Sequence, residues 1–220
     1  MGFGLGLSCC CGNVGFSIGS LFNAADCGAS GLVTDVDANI SRLASCKMIV
    51  IPQYACGDPY SWTPGTNDST LKTWIEAGGR ALLCAEYNDG GANICMDASE
   101  VTVLNNLLGY LGSAIQISTK ACDASCYQQG VNSGSPIVTG LANGGLVYAF
   151  TNTVTGGTAL CSTKVASACG TYTWVAAELL GDGIVVVSGD TGAFLSGCTE
   201  SAYNYEFLTR LFSDAISGML

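Results

Sequence analysis

The sequence predicts an α/β domain built on an open, mostly parallel sheet with helices on both faces. Short apolar runs, typical of strands buried on both sides, alternate along the chain with segments of helical periodicity. Such alternation arises when helices connect parallel strands and cover the sheet. Apolar residues make up 49% of the 220 residues and charged residues 11%, a composition that excludes an intrinsically disordered chain.

The first strands and the first helix show this alternation most clearly. Residues 47–51 form a short apolar run that indicates a buried strand. Asp68 is in position to cap a helix, and Gly78 with Gly79 to end it. Residues 80–85 form the next apolar run. The order strand, helix, strand predicts two parallel strands joined by a helix.

The rest of the chain places an irregular region between two further helices. A D-x-x-E pattern at Asp97 predicts the start of a helix that Gly112 ends. Residues 118–175 are rich in Gly, Thr, Ser and Asn, which predicts loops and antiparallel edge strands. Residues 183–187 form the clearest buried strand, and a helix follows it. The apolar residues of that last helix lie at helical spacing and are Phe207, Leu208, Leu211, Phe212, Ala215 and Ile216.

Residues 1–30 are predicted to form an N-terminal arm, and residues 31–220 the domain itself. The arm is rich in Gly and Cys and carries no charge before Asp26. It contains a run of three cysteines, Cys9, Cys10 and Cys11. We expect the arm to dock on the body of the domain or on a neighbouring subunit, so that the cysteine run belongs to an assembly contact.

The charge balance excludes some classes of partner. The net charge is −10 with seven basic residues, so a phosphate-binding surface is hard to build and a nucleic-acid partner is not expected. No segment reaches the ~20 apolar residues that a membrane helix needs. The shortage of charge favours a protein packed into a large assembly or an extracellular one. A cytoplasmic location is the alternative.

The chain contains 13 cysteines and no histidine. Without histidine, Ser-His and Cys-His catalysis and histidine-ligated metals are all excluded. A zinc site would need four thiolates, and no cysteine pair at zinc spacing has a matching second pair. We therefore expect no metal and no cofactor. Cysteines at hairpin-like spacing in polar loops predict disulfides in an oxidising compartment; the candidate pairs are Cys161 with Cys169 and Cys122 with Cys126.

Five segments, taken in order, resemble a known family. They are KMIVIPQY, LKTWIEAGGRALLCAE, VTVLNNLLGYLG, GIVVVSGDTGAFLSG and YNYEFLTRLF. From about residue 32 to 218 the chain resembles the class I glutamine amidotransferase-like, flavodoxin-type domains, in particular the non-catalytic branch related to ThuA-like and GldG-like proteins. The resemblance implies an open, mostly parallel flavodoxin-like sheet. It implies little about activity, because folds of this kind host many functions.

Cys84 is the one candidate nucleophile that the resemblance suggests. In the catalytic amidotransferases a cysteine follows a strand in a G-x-C-x-G turn and is activated by a histidine. Cys84 lies instead within the predicted strand, has no flanking glycines and has no histidine anywhere in the chain. A thiol without such activation is weakly ionised at neutral pH. We expect Cys84 to be a buried structural residue and the protein not to be an enzyme.

Polar residues at the predicted carboxyl ends of the strands form a second candidate site, because ligands bind there in open α/β sheets. Glu86, Asp89 and Asp190, with Thr191, would supply oxygen ligands for a cation or a small ligand. In the other interpretation Asp190 caps the backbone of the turn after its strand. We favour that structural interpretation.

These observations favour a non-catalytic structural or interaction protein whose partners are other protein subunits, including copies of itself. The leader MGFGLGLS resembles those of tailed-phage virion proteins, which suggests a capsid decoration, tail or fibre component located in the virion or an extracellular assembly. Two alternatives stay open. One is an extracytoplasmic domain that binds a ligand such as a carbohydrate, and the other is an amidotransferase-like hydrolase that depends on Cys84.

Overall fold

The computed structural model describes residues 40–52, 65–85, 98–123, 128–142, 144–148, 151–163, 170–190, 193–194 and 204–220. The N-terminal arm predicted for residues 1–30 lies outside these ranges. The described helices are a 3₁₀ helix (Ile40–Ser45), α1 (Asp68–Glu76), α2 (Ala98–Leu111) and α3 (Tyr205–Ser213). The strands are β1 (Met48–Pro52), β2 (Arg80–Cys84), β3 (Gln116–Asp123), β4 (Gln128–Gln129), β5 (Val131–Asn132), β6 (Val147–Tyr148), β7 (Thr151–Thr155), β8 (Thr158–Ser162), β9 (Thr173–Leu180) and β10 (Gly183–Ser188).

Six strands form one mixed sheet in the order β1-β2-β10-β9-β8-β5, and two antiparallel ribbons, β3-β7 and β4-β6, accompany it. Of the seven pairings, two are parallel (β1 with β2, β2 with β10) and five are antiparallel. The predicted open, mostly parallel flavodoxin-like sheet is therefore wrong. The strands of residues 128–188 are mostly antiparallel, and the described part of that region contains no α-helix to make a parallel crossover.

A tight turn accounts for the first change of direction in the sheet. Leu180 of β9 lies opposite Gly183 of β10, so only Gly181 and Asp182 connect the two strands. Gly181 has a φ of 61°, the left-handed conformation that such two-residue turns require. A connection this short joins only antiparallel neighbours, and β9 consequently runs against the direction of β1, β2 and β10.

The three parallel strands separate two apolar clusters, one on each face of the sheet. On the first face, α3 packs through Phe207, Leu208 and Leu211; we call it the α3 face. On the second face lie α1, α2 and the 3₁₀ helix, together with the β3-β7 ribbon, which contributes Ile117 and Val154. Alternate residues of each strand point to opposite faces, so both faces of the central strands are buried.

Aromatic rings fill the α3 face between the sheet and α3. Tyr148 lies 5.1 Å from Trp174 between ring centroids, Trp174 lies 6.3 Å from Phe194, and Phe194 lies 5.7 Å from Phe207. These side chains are fully buried and connect β6, β9, the turn after β10 and α3. Within the described residues, no helix has the length and apolar character needed to cross a membrane.

Candidate functional site

The carboxyl ends of β1, β2 and β10 lie side by side at one edge of the sheet, which we call the strand-end edge. The pairing brings Pro52, Cys84 and Ser188 level with one another. The Ala85 backbone N–H donates to the Ser188 carbonyl oxygen at 2.8 Å, which extends the parallel pairing by one residue. This edge is where ligands bind in sheets with parallel strands, and two of the residues predicted from the sequence, Cys84 and Asp190, lie at it.

Cys84 lies inside the α3 face and has no solvent-exposed surface. It forms no disulfide within the described part of the chain, and its neighbours in the cluster include Val50 and Leu82. No histidine exists in the chain to accept its proton. The position is typical of a small buried apolar side chain and offers no access for a substrate.

Asp190 follows β10 and is 2% exposed. Its Oδ1 accepts a hydrogen bond from the Ala193 backbone N–H at 3.1 Å. The Ser188 hydroxyl accepts from the Asp190 N–H at 3.1 Å and donates to the Asp190 carbonyl at 2.8 Å. Asp190 and Ser188 therefore stabilise the turn after β10, the role that the structural interpretation of the sequence gives to Asp190.

The other predicted ligands cannot be placed beside Asp190. Glu86, Asp89 and Thr191 lie outside the described residues, so their convergence on a cation stays a prediction. In the part of the chain that is described, no group of three or more His, Cys, Asp or Glu side chains could hold a metal ion.

Asn204 is the residue at this edge that sequence analysis missed. It is fully buried just before α3. Its Oδ1 accepts from the Val147 N–H at 2.8 Å, and its Nδ2 donates to the carbonyl oxygens of Val147 at 2.7 Å and Ala193 at 2.9 Å. One side chain thus connects β6, the turn after β10 and the start of α3. Its position at a helix N-terminus, where Asn is favoured, was the available signal.

Backbone groups of β7 complete the contact at the strand-end edge. The Asn152 N–H donates to the Gly189 carbonyl at 2.9 Å, and the Gly189 N–H donates to the Trp174 carbonyl at 2.8 Å. A Cβ at position 189 would collide with the Asn152 carbonyl oxygen. The Tyr172 hydroxyl donates to the Thr151 carbonyl at 3.3 Å. The side chains of Tyr172, Ser188, Asp190 and Asn204 thus bond to backbone groups of the fold.

The opposite edge of the sheet contains a buried cation, Arg80, at the start of β2. Its guanidinium donates to the carbonyl oxygens of Leu211 at 2.5 Å and Asp214 at 2.6 Å, at the C-terminal end of α3. Burial lowers the pKa of Arg80, and the charge of Asp214 partly opposes this. Because a helix C-terminus presents unpaired carbonyls and partial negative charge, a cation there is stabilising.

The predicted disulfide residues are only partly described. Cys161 is a buried free thiol, and burial raises its pKa to about 12. Cys169 and Cys126 lie outside the described residues, and for Cys122 only the backbone is described, as part of β3. Both pairings therefore stay predictions. The run Cys9, Cys10 and Cys11 also lies outside the described residues.

Comparisons with known proteins give a fold and no family. No family model matches the chain, and no curated protein matches it. Among solved structures, the chain is similar to the N-terminal domain of IFT52 (mmIFT52), with 17% identity, a TM-score of 0.53 and 78% of each chain covered. It is also similar to the cytoplasmic protein STM3548 of Salmonella typhimurium, with 11% identity, a TM-score of 0.49 and coverage of 79% of this chain and 74% of that one.

A β-galactosidase of Bacillus circulans sp. alkalophilus matches with 11% identity and a TM-score of 0.49, over 76% of this chain. The chain spans only 22% of that enzyme's length. A TM-score this low carries no argument about the fold or activity of the present chain.

These findings correct two expectations. The predicted membership of the class I glutamine amidotransferase-like, flavodoxin-type family is wrong, because no family model matches and the sheet is mostly antiparallel. The predicted phage virion origin is overturned as well: the matching fold is that of the IFT52 N-terminal domain, and nothing in the comparisons indicates a virus. The likeness to that domain, at 17% identity, shows the fold of this chain and nothing of its activity.

Proposed function

We propose that this chain is a non-catalytic structural or interaction protein that acts through contacts with other protein subunits, including copies of itself. The observation that carries the proposal is the closure of the described part of the strand-end edge. Ser188, Asp190 and Asn204 are all buried there, and their polar atoms bond to backbone groups of neighbouring segments.

Catalysis at this edge would need a reactive group within reach of a substrate. Cys84 is enclosed in the apolar cluster of the α3 face, and the chain has no histidine to activate it. Asp190 is the one carboxylate at the described part of the edge, and its Oδ1 already accepts a hydrogen bond from the Ala193 N–H. General acid–base chemistry needs a group that can reach the reacting proton, and neither side chain meets this condition.

The composition of the surface supports contacts with protein. Charged residues make up 11% of the chain, and the cores of protein interfaces are depleted in charge. Among the described residues, three large apolar side chains are about half exposed: Tyr110 on α2, Val131 on β5 and Leu179 on β9. Leu179 lies opposite Ile184 on the α3 face of the sheet, so it extends that buried surface towards solvent. We place a subunit contact at Leu179.

The test is the native mass of the purified full chain, measured by light scattering or sedimentation over a range of concentrations. We expect a mass above the 22.4 kDa of one chain, and weaker association in a Leu179→Glu variant. Asn106→Glu, at an exposed position of α2, is the matched control and should leave association unchanged. A mass of one chain at every concentration would contradict self-association, and equal association of both variants would exclude Leu179 from the contact.

A further inference from the structure

A short segment, residues 135–142, crosses the α3 face without joining the sheet; we call it the strap. Its apolar side chains Ile137, Val138 and Leu141 are buried in the cluster of that face. Its backbone is folded on itself, since the N–H groups of Val138 and Thr139 both donate to the Ser135 carbonyl, at 3.1 and 3.0 Å. The strap therefore has internal structure of its own, and most of its hydrogen bonds to the rest of the molecule involve side chains of other segments.

Arg210 of α3 makes the densest of these attachments. Its guanidinium donates to the carbonyl oxygens of Thr139 at 2.6 Å and Gly140 at 3.1 Å. The carbonyls of Pro136 and Ile137 lie 3.5 Å away. These carbonyls end the turn of the strap, so one guanidinium satisfies several acceptors that the turn leaves unpaired.

Glu206, one helical turn earlier, holds the other end of the strap. Its Oε2 accepts from the Ala142 N–H at 2.8 Å, and its Oε1 accepts from Arg210 at 2.6 Å. The carboxylate thus binds the strap directly and also fixes the guanidinium that binds it. Two further bonds are independent of these charges: Ile137 N–H to the Met219 carbonyl at 3.3 Å, and Asn132 Nδ2 to the Val138 carbonyl at 2.8 Å.

We propose that the strap is an acid-sensitive lid, which opens as a unit when Glu206 is protonated while the sheet stays folded. The strap contains no ionisable side chain, since its sequence is SPIVTGLA. Glu206 and Arg210 are the charged side chains that bind it from α3. In the described C-terminal segment, Asp214 contacts Arg80 at the other end of α3. Protonation of one carboxylate therefore weakens two attachments together.

The direction of the pH dependence follows from the carboxylate. The bond from the Ala142 N–H lowers the pKa of Glu206, and the bond and charge of Arg210 lower it further. A group with a lowered pKa in the folded protein stabilises it fully above the ordinary pKa and loses that contribution as the pH falls through the lowered value. Closure of the strap is therefore complete at neutral pH and weakens below about pH 4.

Amide hydrogen exchange on the full chain tests this, with rates expressed as protection factors to remove the intrinsic pH dependence. The Ala142 and Ile137 amides report the strap, and the Val185 and Val186 amides of β10 report global unfolding. Between pH 6.5 and pH 3 we expect protection of the strap amides to fall about three- to tenfold. Protection of the β10 amides should change less.

Glu206→Gln should show the lower protection of the strap at both pH values, because the amide cannot ionise. The matched control is Glu76→Gln, since Glu76 forms the other i,i+4 ion pair, with Lys72 in α1, and does not touch the strap. It should leave the exchange of the strap unchanged. Equal protection at both pH values, no effect of Glu206→Gln, or a parallel loss in β10 would each overturn the proposal.

Discussion

Asparagine side chains make many of the connections between segments of this molecule. Asn105 accepts from the Ile117 N–H at 2.8 Å and donates to the Ile117 carbonyl at 2.9 Å. Asn204 forms the same pair of bonds with Val147, and Asn132 bonds to Leu146 and Val138. A neutral amide offers one donor group and one acceptor on a short side chain, so it can replace a missing strand neighbour where an ionised carboxylate cannot.

The Asn204→Asp variant should be less stable by about 2–4 kcal/mol at pH 7.5. The new carboxylate would face the carbonyl oxygens of Val147 and Ala193, which now receive the amide N–H groups. Burial and these carbonyls would raise the pKa of the carboxyl, so the folded state would hold its proton more tightly than the unfolded state. The loss of stability should therefore shrink as the pH falls.

Urea unfolding at pH 7.5 and pH 5 measures both effects. Asn106→Asp, at an exposed position of α2, provides the control and should change stability little at either pH. An equal loss for Asn204→Asp at both pH values would mean that the carboxylate has found other partners.

Among the elements, α3 is attached to the rest of the molecule along its whole length. Asn204 connects its start to β6, Glu206 and Arg210 bind the strap from its middle, and Arg80 binds carbonyl oxygens at its end. Helix α1 is attached differently, through close backbone contact with the β9–β10 turn. The Asp182 N–H donates to the Glu76 carbonyl at 2.9 Å, and the Ile184 N–H donates to the Gly79 carbonyl at 3.1 Å.

Substitution by alanine should have opposite effects on stability at two glycines, one inside this close contact and one away from it. A Cβ at Gly183 would collide with the backbone carbonyl of Ile75, so Gly183→Ala should cost about 1–3 kcal/mol. Gly109 in α2 has open space where its Cβ would lie, so Gly109→Ala should gain up to about 1 kcal/mol from helix propensity. Thermal unfolding compares the two variants. If Gly183→Ala left the free energy of unfolding unchanged, α1 and the turn could move apart without loss of stability.

Some elements were predictable because their signals are local. The helix expected between Asp68 and Gly78 is confirmed as α1, although its N-cap is Asn67 and Asp68 is its first residue. The strand expected at 183–187 is confirmed within β10. Both depend on apolar spacing and on a capping residue or glycine at the boundary. The parallel pairing of β1 with β2 and the antiparallel direction of strands within residues 118–175 were also predicted. The composition of the whole sheet was not predictable in this way, because it depends on which distant segments pair.

The limit of prediction from local sequence is clearest in residues 118–175. Their Thr, Ser and Gly content indicated loops and edge strands, yet β9 lies inside the sheet between β8 and β10. Its neighbours, and not its own sequence, make Trp174 and Val175 fully buried. At the candidate site, Asp190 was predictable from its position after a strand. Asn204 bonds to Val147, which lies 57 residues away in sequence. A contact between such distant residues cannot be predicted from a local sequence pattern.

At the scale of the whole molecule, two apolar clusters on either side of one sheet enclose most of the described core. Cys84 and Cys161 lie in the cluster of the α3 face, and Cys46 is half-buried at its border. Buried thiols react only after the structure around them opens. The reactivity of these cysteines therefore measures whether the sheet is folded, and the measurement needs no knowledge of an activity.

Alkylation with iodoacetamide at pH 8, followed by peptide mass spectrometry, should modify Cys46 before Cys84 and Cys161. Cys84 and Cys161 should react only at denaturant concentrations that unfold the sheet. Burial raises the pKa of Cys161 to about 12 from an ordinary 9.0, so its reactive thiolate is scarce in the folded state at this pH. Early modification of Cys84 in the native protein would contradict its burial and would favour a nucleophilic role.

The position of β2 between β1 and β10 has a consequence for how the chain is made. One neighbour of β2 precedes it closely, while the other begins at Gly183. During synthesis from the N-terminus, β2, which is apolar after Arg80, therefore presents an open edge until β10 has left the ribosome. Such edges invite pairing with other nascent chains. Pairing of β2 with β10 is therefore a late and non-local step, and β2 keeps one unpaired edge until β10 has been synthesised.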